Sequence, residues 1–439
     1  MRCVIRALVF SIGALTASPP NAAGPPVKFP LAVSRDHRHL EDSAGVPFLV
    51  VGDTAWSLVA QLSEADIDRY LDDRAARGFN AIIVNLLEHK FASRAPANHH
   101  GVRPFRDGLD FERPNAEYFD YAHRAIAAAH RRGISVWLCP AYLGWDGGDE
   151  GFFKEIVAAG REALRRYGQF VGERFQDLPN IVWMLGGDYA FPPSHRWLGD
   201  VLAAGLRDGG ARQLMTAHGG QTAAVETFGD RDWMAIDTVY SYLADLRAPL
   251  QAARARRPQR PLVLIESTYE GEHDAPPEQI RFQAWTAILS GAAGQFFGNN
   301  PIWHFDGPTL FKYQGTWQQA LDSVGSRDMT RLGAFFRSHK WTDLQPVADG
   351  QIAATSDSGP PTIAARTADG TLAIVYVPAH GGGPRELRLH RGRASITAQW
   401  IDPASDAPPV NAWFDASAQS TRTPGRNGTG ATDWVLLLR

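Results

Sequence analysis

The sequence predicts a (β/α)8 barrel followed by a small antiparallel β-sandwich. Between about residues 47 and 340, short apolar segments alternate with segments of helical periodicity, and eight of the apolar segments are strand-like. After Trp341 this pattern ends, and short alternating segments appear between Pro, Gly and Asp turns. Because 439 residues exceed one ordinary domain, we expect the barrel over 24–343 and the β-sandwich over 344–439.

Each predicted barrel strand is a short run rich in β-branched or aromatic residues that ends at a turn or a polar side chain. In chain order these strands are 48–51, 79–84, 134–138, 181–185, 213–217, 234–239, 261–265 and 294–297. Predicted helices include one capped by Ser63 and ended by Gly78, one opened by Pro114 and ended by Gly133, and others over 161–175 and 279–289. The β-sandwich strands are predicted at 362–365, 372–377, 395–400 and 434–438.

The N-terminus predicts a secretory signal peptide over 1–23. Arg2 and Arg6 precede an apolar stretch that is too short to span a bilayer, and small residues lead to Ala23. We therefore expect a periplasmic or extracellular protein that has no membrane segment after cleavage. Cys3 is removed with the signal, so Cys139 alone is left and no intramolecular disulfide can form.

Bulk composition excludes some function classes. Hydrophobic residues make up 44% of the chain and charged residues 21%, which is ordinary globular composition. A net charge of −3 without a basic cluster argues against nucleic-acid binding. The 13 Trp, 11 Tyr and 22 Phe residues exceed what the core requires, and such rings suit stacking on sugars. Composition does not predict the oligomeric state.

Two apolar runs that end in a carboxylate carry the functional prediction. Asp188 follows 181–185 and two glycines, and Glu266 follows 261–265 directly. A barrel enzyme builds its active site at these strand ends, and two carboxylates from different strands are the minimum for glycoside hydrolysis. Alternatively, each acid caps a following helix or pairs with an Arg. As a pair, Asp188 and Glu266 are predicted to be catalytic, with an oligosaccharide or polysaccharide as substrate.

Other polar and aromatic residues near strand ends are predicted to bind substrate. These are Asp53, Trp56, Asn85, His218, Tyr240, Tyr269, Asn299 and Trp303. For Asp53 and Trp56 the alternative is a helix N-cap and a buried indole, and His218 is expected to bind ring hydroxyls or to orient Glu266. Adjacent His99 and His100 lack the spacing that aims both rings at one ion. We therefore predict no metal and no cofactor.

Several spaced motifs resemble the apiosidase-like glycoside hydrolases, known as family 140. The motifs are Gly52-Asp53-Thr54-Ala55-Trp56, Arg77-Gly78-Phe79-Asn80, Gly186-Gly187-Asp188, Met215-Thr216-Ala217-His218, Leu264-Ile265-Glu266 and Gly294-Gln295-Phe296-Phe297-Gly298-Asn299. The C-terminal Gln399-Trp400-Ile401-Asp402-Pro403 is similar to the β domain that follows the barrel there, which is labelled collagen-binding. The resemblance implies a (β/α)8 barrel that hydrolyses terminal apiose from pectic side chains.

The resemblance also implies that Asp188 and Glu266 are the catalytic pair, and it favours a retaining mechanism. We assign Asp188 as the general acid/base and Glu266 as the nucleophile; from the residues alone these roles could be exchanged. Two other functions compete. A metal-dependent barrel hydrolase would need His218, Asp53 and Asp188 to converge on one ion. A non-catalytic carbohydrate- or matrix-binding protein would keep the aromatic rim and dispense with the acid pair.

Overall fold

The structure, a computed structural model, describes residues 27–242, 246–390, 397–413 and 419–439. The predicted signal peptide lies outside the described residues. The first described segment forms a small three-stranded antiparallel sheet that the sequence analysis did not predict. Its strands are Ala32–Val33, Leu40–Glu41 and Pro47–Phe48.

The central unit is a nearly closed barrel of eight parallel strands, as predicted. Its strands are β1 (Val50–Thr54), β2 (Ala81–Asn85), β3 (Ser135–Cys139), β4 (Ile181–Gly186), β5 (Met215–His218), β6 (Asp237–Tyr240), β7 (Leu262–Glu266) and β8 (Gly294–Phe297). Ladder hydrogen bonds join them in the order β5-β4-β3-β2-β1-β8-β7-β6. Between β5 and β6 the barrel is closed by other bonds, including Thr216 Oγ1 to the Ile236 carbonyl oxygen at 2.8 Å.

Helices surround the barrel and also occupy several of its loops. They are α1 (Leu58–Gln61), α2 (Glu64–Ala76), α3 (Ala116–Arg131), α4 (Phe153–Phe175), α5 (Trp197–Asp208), α6 (Ala224–Phe228), α7 (Arg247–Ala255), α8 (Pro277–Leu289), α9 (Trp317–Ala320) and α10 (Val324–Arg337). Among the helices described here, none is long and apolar enough to cross a membrane.

Capping residues and a glycine break explain where α2, α3 and α4 begin relative to the prediction. Ser63 caps α2 because its hydroxyl oxygen accepts the Asp66 N–H at 3.2 Å. Pro114 was predicted to open α3, but the helix begins at Ala116 because Asn115 is the N-cap. The helix predicted from residue 161 begins at Phe153 instead. The chain passes through Gly160 with a φ of 84°, and this break hid the first two turns from the periodicity.

The barrel interior is a packed apolar core. Strand residues that alternate inward, among them Ile83, Trp137, Met184 and Phe296, form one buried cluster. Trp137 meets Phe296 edge to face with ring centroids 5.0 Å apart. The opposite faces of the strands pack against the helices. The packed interior leaves the mouth at the carboxyl ends of the strands as the place for a ligand.

The C-terminal region is an antiparallel β-sandwich, as predicted. Its strands are β9 (Leu344–Pro346), β10 (Ala353–Thr355), β11 (Ile363–Thr367), β12 (Ala373–Val377), β13 (Glu386–Leu389), β14 (Ala398–Ile401), β15 (Val410–Asn411), β16 (Ser420–Arg422) and β17 (Trp434–Leu438). One sheet has the order β9-β11-β12-β17-β14-β15 and the other β10-β13-β16. Residues 395–396 of the predicted third strand lie outside the described residues.

The β-sandwich packs on the barrel through α8 and α10. The Trp285 ring of α8 stacks on Tyr376 of β12 with ring centroids 5.9 Å apart and nearly parallel planes. Arg281, one turn earlier on α8, contacts Asp433 at the start of β17. The C-terminal region therefore covers α8 and α10 on the outside of the barrel.

Candidate active site

A cavity of about 610 Å³ opens at the carboxyl end of the barrel. Asp188 and Glu266 both line it. Five of the eight residues predicted to bind substrate also line it, namely Trp56, Asn85, Tyr240, Tyr269 and Trp303. Further lining side chains are Phe91, Tyr142, Trp145, Glu150, Gln221, Tyr242, Thr268, Glu272, His273, Gln279, Leu310 and Phe311. The two predicted catalytic carboxylates therefore share one cavity.

A β-bulge turns Glu266 into the cavity. Leu264 pairs with Val239 and Glu266 pairs with Tyr240, so Ile265 is one extra residue in β7 opposite β6. Without the bulge, strict alternation along β7 would place Glu266 on the same outer face as Leu264. With it, Glu266 follows Ile265 on the inner side, where Ile265 belongs to the core cluster of the barrel. The bulge thus delivers a carboxylate to the mouth.

His218 and Tyr242 hold the Glu266 carboxylate. His218 Nε2 lies 2.7 Å from Glu266 Oε2, and the Tyr242 hydroxyl donates to Oε1 at 3.1 Å. The other imidazole nitrogen, Nδ1, lies 3.0 Å from the Gly219 carbonyl oxygen. Both partners of the ring are acceptors, so a ring with N–H on both nitrogens satisfies them together. The hydrogen bond to Glu266 and its charge accordingly raise the pKa of His218, against the effect of burial.

Two glycines allow Asp188 to reach the same cavity. Gly186 and Gly187 have φ values of 100° and 145°, a region that residues with a Cβ rarely adopt. A Cβ on Gly186 would lie 2.5 Å from the His218 carbonyl oxygen, and one on Gly187 would lie 2.5 Å from the Tyr142 ring. The backbone at these two positions therefore has no room for a side chain. The chain bends here, after β4, so that the short Asp188 side chain reaches the mouth.

Asp188 has an environment that favours its protonated form. Burial and the negative charge of Glu266 raise the pKa of Asp188 to about 7, although His218 and a hydrogen bond from Tyr240 act in the opposite direction. Its Oδ1 atom is buried without a hydrogen-bond partner among the described residues. A buried carboxyl oxygen is normally paired. The lack of a donor to the buried Oδ1 therefore adds to the cost of ionising Asp188.

The two carboxyl groups differ in what their surroundings stabilise. Glu266 accepts hydrogen bonds on both oxygens, one of them from a His218 ring that favours the protonated state. Asp188 is desolvated and lies in the field of Glu266. Environments that separate two carboxyl groups in this way suit one to be an acid and the other to act as an anion. This arrangement fits the predicted acid and nucleophile.

Aromatic side chains wall the cavity between the carboxylates and the rim. Trp56 donates its indole N–H to the Tyr269 hydroxyl at 2.9 Å, which fixes both rings. At the rim, Trp145 is 52% exposed and Leu310 is 57% exposed. Rigid ring faces deep in the cavity and exposed apolar side chains at the rim suit the apolar faces of sugar rings.

Asp53 and Asn299, both predicted to bind substrate, do not line the cavity. Asp53 points outward from β1 and is fully buried, where Arg74 donates to its Oδ2 at 3.2 Å and Tyr70 at 2.9 Å. Asn299 Nδ2 donates to Glu270 Oε2 at 2.8 Å. The substrate-binding prediction for these two residues is corrected, because Asp53 joins β1 to α2 and Asn299 Nδ2 joins the loop after β8 to the loop after β7. His218 orients Glu266, which is one of the two roles expected for it.

Sequence reasoning missed several lining residues, above all Glu272. Glu272 lies six positions beyond Glu266 in the loop after β7, where no strand end marks it. Trp303 Nε1 donates to its Oε1 at 2.8 Å. Tyr242 was also missed as a site residue, yet it lies two positions after Tyr240. That spacing places two side chains on one side of an extended chain and could have identified it.

The residues considered for a metal site do not converge. Asp53 lies outside the barrel wall with Arg74, whereas Asp188 lies in the cavity and His218 has both nitrogens engaged. Within the described ranges, no group of three or more His, Cys, Asp or Glu side chains is arranged to hold a metal ion. The donor geometry therefore does not fit the metal-dependent alternative.

Comparison with known proteins identifies the family and supports the fold. Residues 34–343 match the family described as "Apiosidase-like, catalytic domain". A solved glycoside hydrolase family 5 protein from Bacteroides vulgatus shares 24% identity at a TM-score of 0.78, with 93% of each chain covered. A second solved structure, described as a glycoside hydrolase, shares 23% identity at a TM-score of 0.75, with 95% of this chain and 98% of that chain covered. No curated protein matches the sequence significantly. The structural likenesses support the barrel and β-domain fold.

Proposed function

The chain belongs to the apiosidase-like family, and from that premise we propose that this glycoside hydrolase removes a terminal apiose from pectic side chains. The observation that carries the proposal is the pair of carboxyl groups in one cavity, with Asp188 favoured as an acid and Glu266 held in place by His218 and Tyr242. Glycoside hydrolysis needs an acid and a positioned second carboxyl group together.

The charge of the cavity favours a neutral sugar over a uronic acid. Asp188, Glu266, Glu150 and Glu272 all line it, and the described lining residues include no Lys or Arg. A sugar carboxylate bound here would have no Lys or Arg to pair with and would lie near the Glu266 carboxyl group. Apiose carries no charge, so it fits this electrostatic environment. In an acidic polysaccharide, the uronate units would have to remain outside the cavity.

In the first step of the proposed mechanism, Glu266 attacks the anomeric carbon while Asp188 protonates the glycosidic oxygen. The bond between the anomeric carbon and that oxygen breaks, and the leaving alcohol departs with the Asp188 proton. His218 and Tyr242 hold the carboxylate in place for attack. The product is a glycosyl ester of Glu266 and an ionised Asp188.

In the second step, Asp188 acts as a base. Esterification removes the negative charge of Glu266, which had helped to raise the pKa of Asp188. The pKa of Asp188 therefore falls just when the residue must remain ionised and accept a proton from water. Water attacks the anomeric carbon, the ester bond breaks, and the sugar leaves with its original anomeric configuration.

We further propose that the protein works in the periplasm or outside the cell. This rests on the predicted signal peptide of 1–23, whose basic start and short apolar segment are typical of exported proteins. Fractionation of the expressing cells, with mass determination of the mature N-terminus, tests this. A full-length protein in the cytoplasm would contradict it.

A release assay tests the substrate. Purified protein is incubated with pectic side-chain oligosaccharides that end in apiose, beside matched oligosaccharides that end in xylose or arabinose. We expect release of apiose by the native protein and no release by Glu266→Gln. Release of another neutral sugar instead would contradict apiose. Proton NMR in the first minutes tests retention, because an inverted product anomer would contradict the glycosyl-Glu266 intermediate.

A further inference from the structure

A third carboxyl group, that of Glu272, shares the cavity with Asp188 and Glu266. Glu272 lies in the loop after β7, and its charge is near enough to Glu266 to interact with it. The residue is only 3% exposed. A buried carboxyl group is costly unless its oxygens are paired, so its presence in a cavity beside a nucleophile needs an explanation.

The structure fixes Glu272 firmly. Trp303 Nε1 donates to Glu272 Oε1 at 2.8 Å, and the Trp303 ring packs edge to face on Phe91 with centroids 5.0 Å apart. The Glu272 backbone N–H donates to the Tyr269 carbonyl oxygen at 3.2 Å. The next residue, His273, has a φ of 52°, a strained conformation for a residue with a side chain. Such strain is common where a loop must present a group to a ligand.

The second carboxyl oxygen, Oε2, is left for a ligand. No donor among the described residues bonds to it, and it is not among the buried polar atoms that are sealed without a partner. It therefore keeps access to the cavity. Burial and the charge of Glu266 raise the pKa of Glu272 to about 8, despite the bond from Trp303. At neutral pH this group can both donate and accept a hydrogen bond.

A nearby glutamate shows how a purely structural carboxyl group is arranged in the same loop. Glu270 Oε1 accepts the Gly325 N–H at 2.8 Å, and its Oε2 accepts from Asn299 Nδ2 at 2.8 Å. Both oxygens are used within the protein, and Glu270 does not line the cavity. Glu272 differs in both respects.

We propose that Glu272 binds a hydroxyl group of the sugar that is held against Glu266, and so determines which sugar is accepted. The inference rests on the proposed glycosidase function but not on apiose. Trp303 orients the carboxyl group, and the free Oε2 meets the hydroxyl. A sugar that lacks this hydroxyl, or carries it on the opposite face, leaves Oε2 unpaired and is disfavoured.

Three variants test this on whichever aryl glycoside the native protein hydrolyses best. Glu272→Gln keeps an oxygen for Trp303 and gains an N–H donor, so kcat/KM should fall by about threefold or less. Glu272→Leu has similar size without hydrogen bonding, and kcat/KM should fall by about 10- to 100-fold. Glu270→Gln is the matched control, which should lower the Tm and leave kcat/KM within about twofold.

Substrates that lack one hydroxyl group distinguish a role of Glu272 in binding the sugar from a role in supporting the fold. On the glycoside that lacks the bound hydroxyl, native protein and Glu272→Leu should have equal kcat/KM, whereas the other deoxy glycosides should preserve the difference. The proposal is wrong if Glu272→Leu keeps kcat/KM on the full sugar, or if its loss is the same on every deoxy glycoside. Calorimetric binding of the free sugars in the Glu266→Gln background gives the same comparison without turnover. Hydrolysis of a sugar other than apiose would overturn only the proposed substrate.

Discussion

Two buried clusters of ionisable side chains, one at the barrel mouth and one between the barrel and the β-sandwich, use their carboxylates differently. In the inter-domain cluster, both carboxylate oxygens of Asp433 accept hydrogen bonds from Arg281, at 2.7 and 2.8 Å. The same carboxylate also accepts hydrogen bonds from Asn427 and Tyr376. Asp328 binds Arg281 with one oxygen at 2.9 Å and Arg331 with the other at 3.0 Å. Every carboxylate oxygen there is satisfied within the protein.

At the barrel mouth, some carboxyl oxygens have no hydrogen-bond donor among the described residues. Asp188 Oδ1 is buried without a partner among the described residues, and Glu272 offers one oxygen to the cavity. Charge balance differs too, because the inter-domain carboxylates face arginines, whereas the mouth carboxylates face a histidine and one another. The comparison shows that burial alone does not identify a functional acid. The mouth carboxyl groups are distinguished by lining a cavity whose described lining residues include no Arg or Lys.

The largest expected effect is on turnover, from Glu266→Gln. The amide has the same shape but cannot attack the anomeric carbon, so kcat should fall at least about a thousandfold. Folding should be retained, because the amide can still accept from Tyr242. Steady-state kinetics and circular dichroism check both statements. More than about a tenth of native activity would show that Glu266 is not the nucleophile.

In the inter-domain cluster, replacing a charged side chain should lower the stability of the protein and leave turnover unaffected. Arg281→Met leaves Asp328 and Asp433 buried without their shared cation, which should cost about 3–5 kcal/mol in the free energy of unfolding. Denaturant unfolding monitored by tryptophan fluorescence measures this loss. The folded fraction should keep native KM, because Arg281 lies outside the cavity. A changed KM at full stability would show that the two clusters are coupled.

The pH dependence of the reaction should follow Asp188. Its pKa is raised to about 7, so the carboxyl group is protonated below that pH and ionised above it. An ionised Asp188 cannot protonate the leaving oxygen, so kcat/KM should fall about tenfold per pH unit above pH 7. A pH–rate profile measures this. Glu272→Gln is the control and should show the same fall in kcat/KM above pH 7.

Asp188→Asn gives the complementary test of the acid role. Activity should be lost on glycosides with poor leaving groups and largely kept for the first step on those with good ones, which need no proton. Azide should then accelerate turnover and form a glycosyl azide of retained configuration, since an anion attacks without a base. A native rate that is flat to pH 9, or a variant that azide does not accelerate, would contradict the assignment.

Most of the fold was predictable because the patterns that signal it are local. The strands at Gly294–Phe297 and Trp434–Leu438 have the predicted bounds, since apolar runs and turn residues bracket each of them. The site was predictable in part. The bulge at Ile265 that turns Glu266 inward depends on pairing with β6, and the orientation of Glu272 depends on Trp303. Such long-range contacts leave no mark in a local pattern.

Asp53 shows where a closer use of alternation would have improved the prediction. Val50 faces the barrel core and Val51 packs outside against the helices, so Asp53 follows Val51 to the outer face. Strand-end position alone could not distinguish it from Asp188, which follows two glycines that redirect the chain.

The smallest expected effect tests that distinction. Asp53→Asn should destabilise the fold by about 1–3 kcal/mol, because it weakens a buried bond to Arg74 while Asp73 and the Leu321 carbonyl still bind that guanidinium. Thermal and denaturant unfolding measure the loss, and kcat/KM should stay within about twofold of native. Asp188→Asn is the matched variant, and it should keep native stability while kcat/KM falls strongly. A KM raised about tenfold at native stability would instead mean that Asp53 contacts the sugar during turnover, so that an oxygen satisfied within the protein can still serve a ligand.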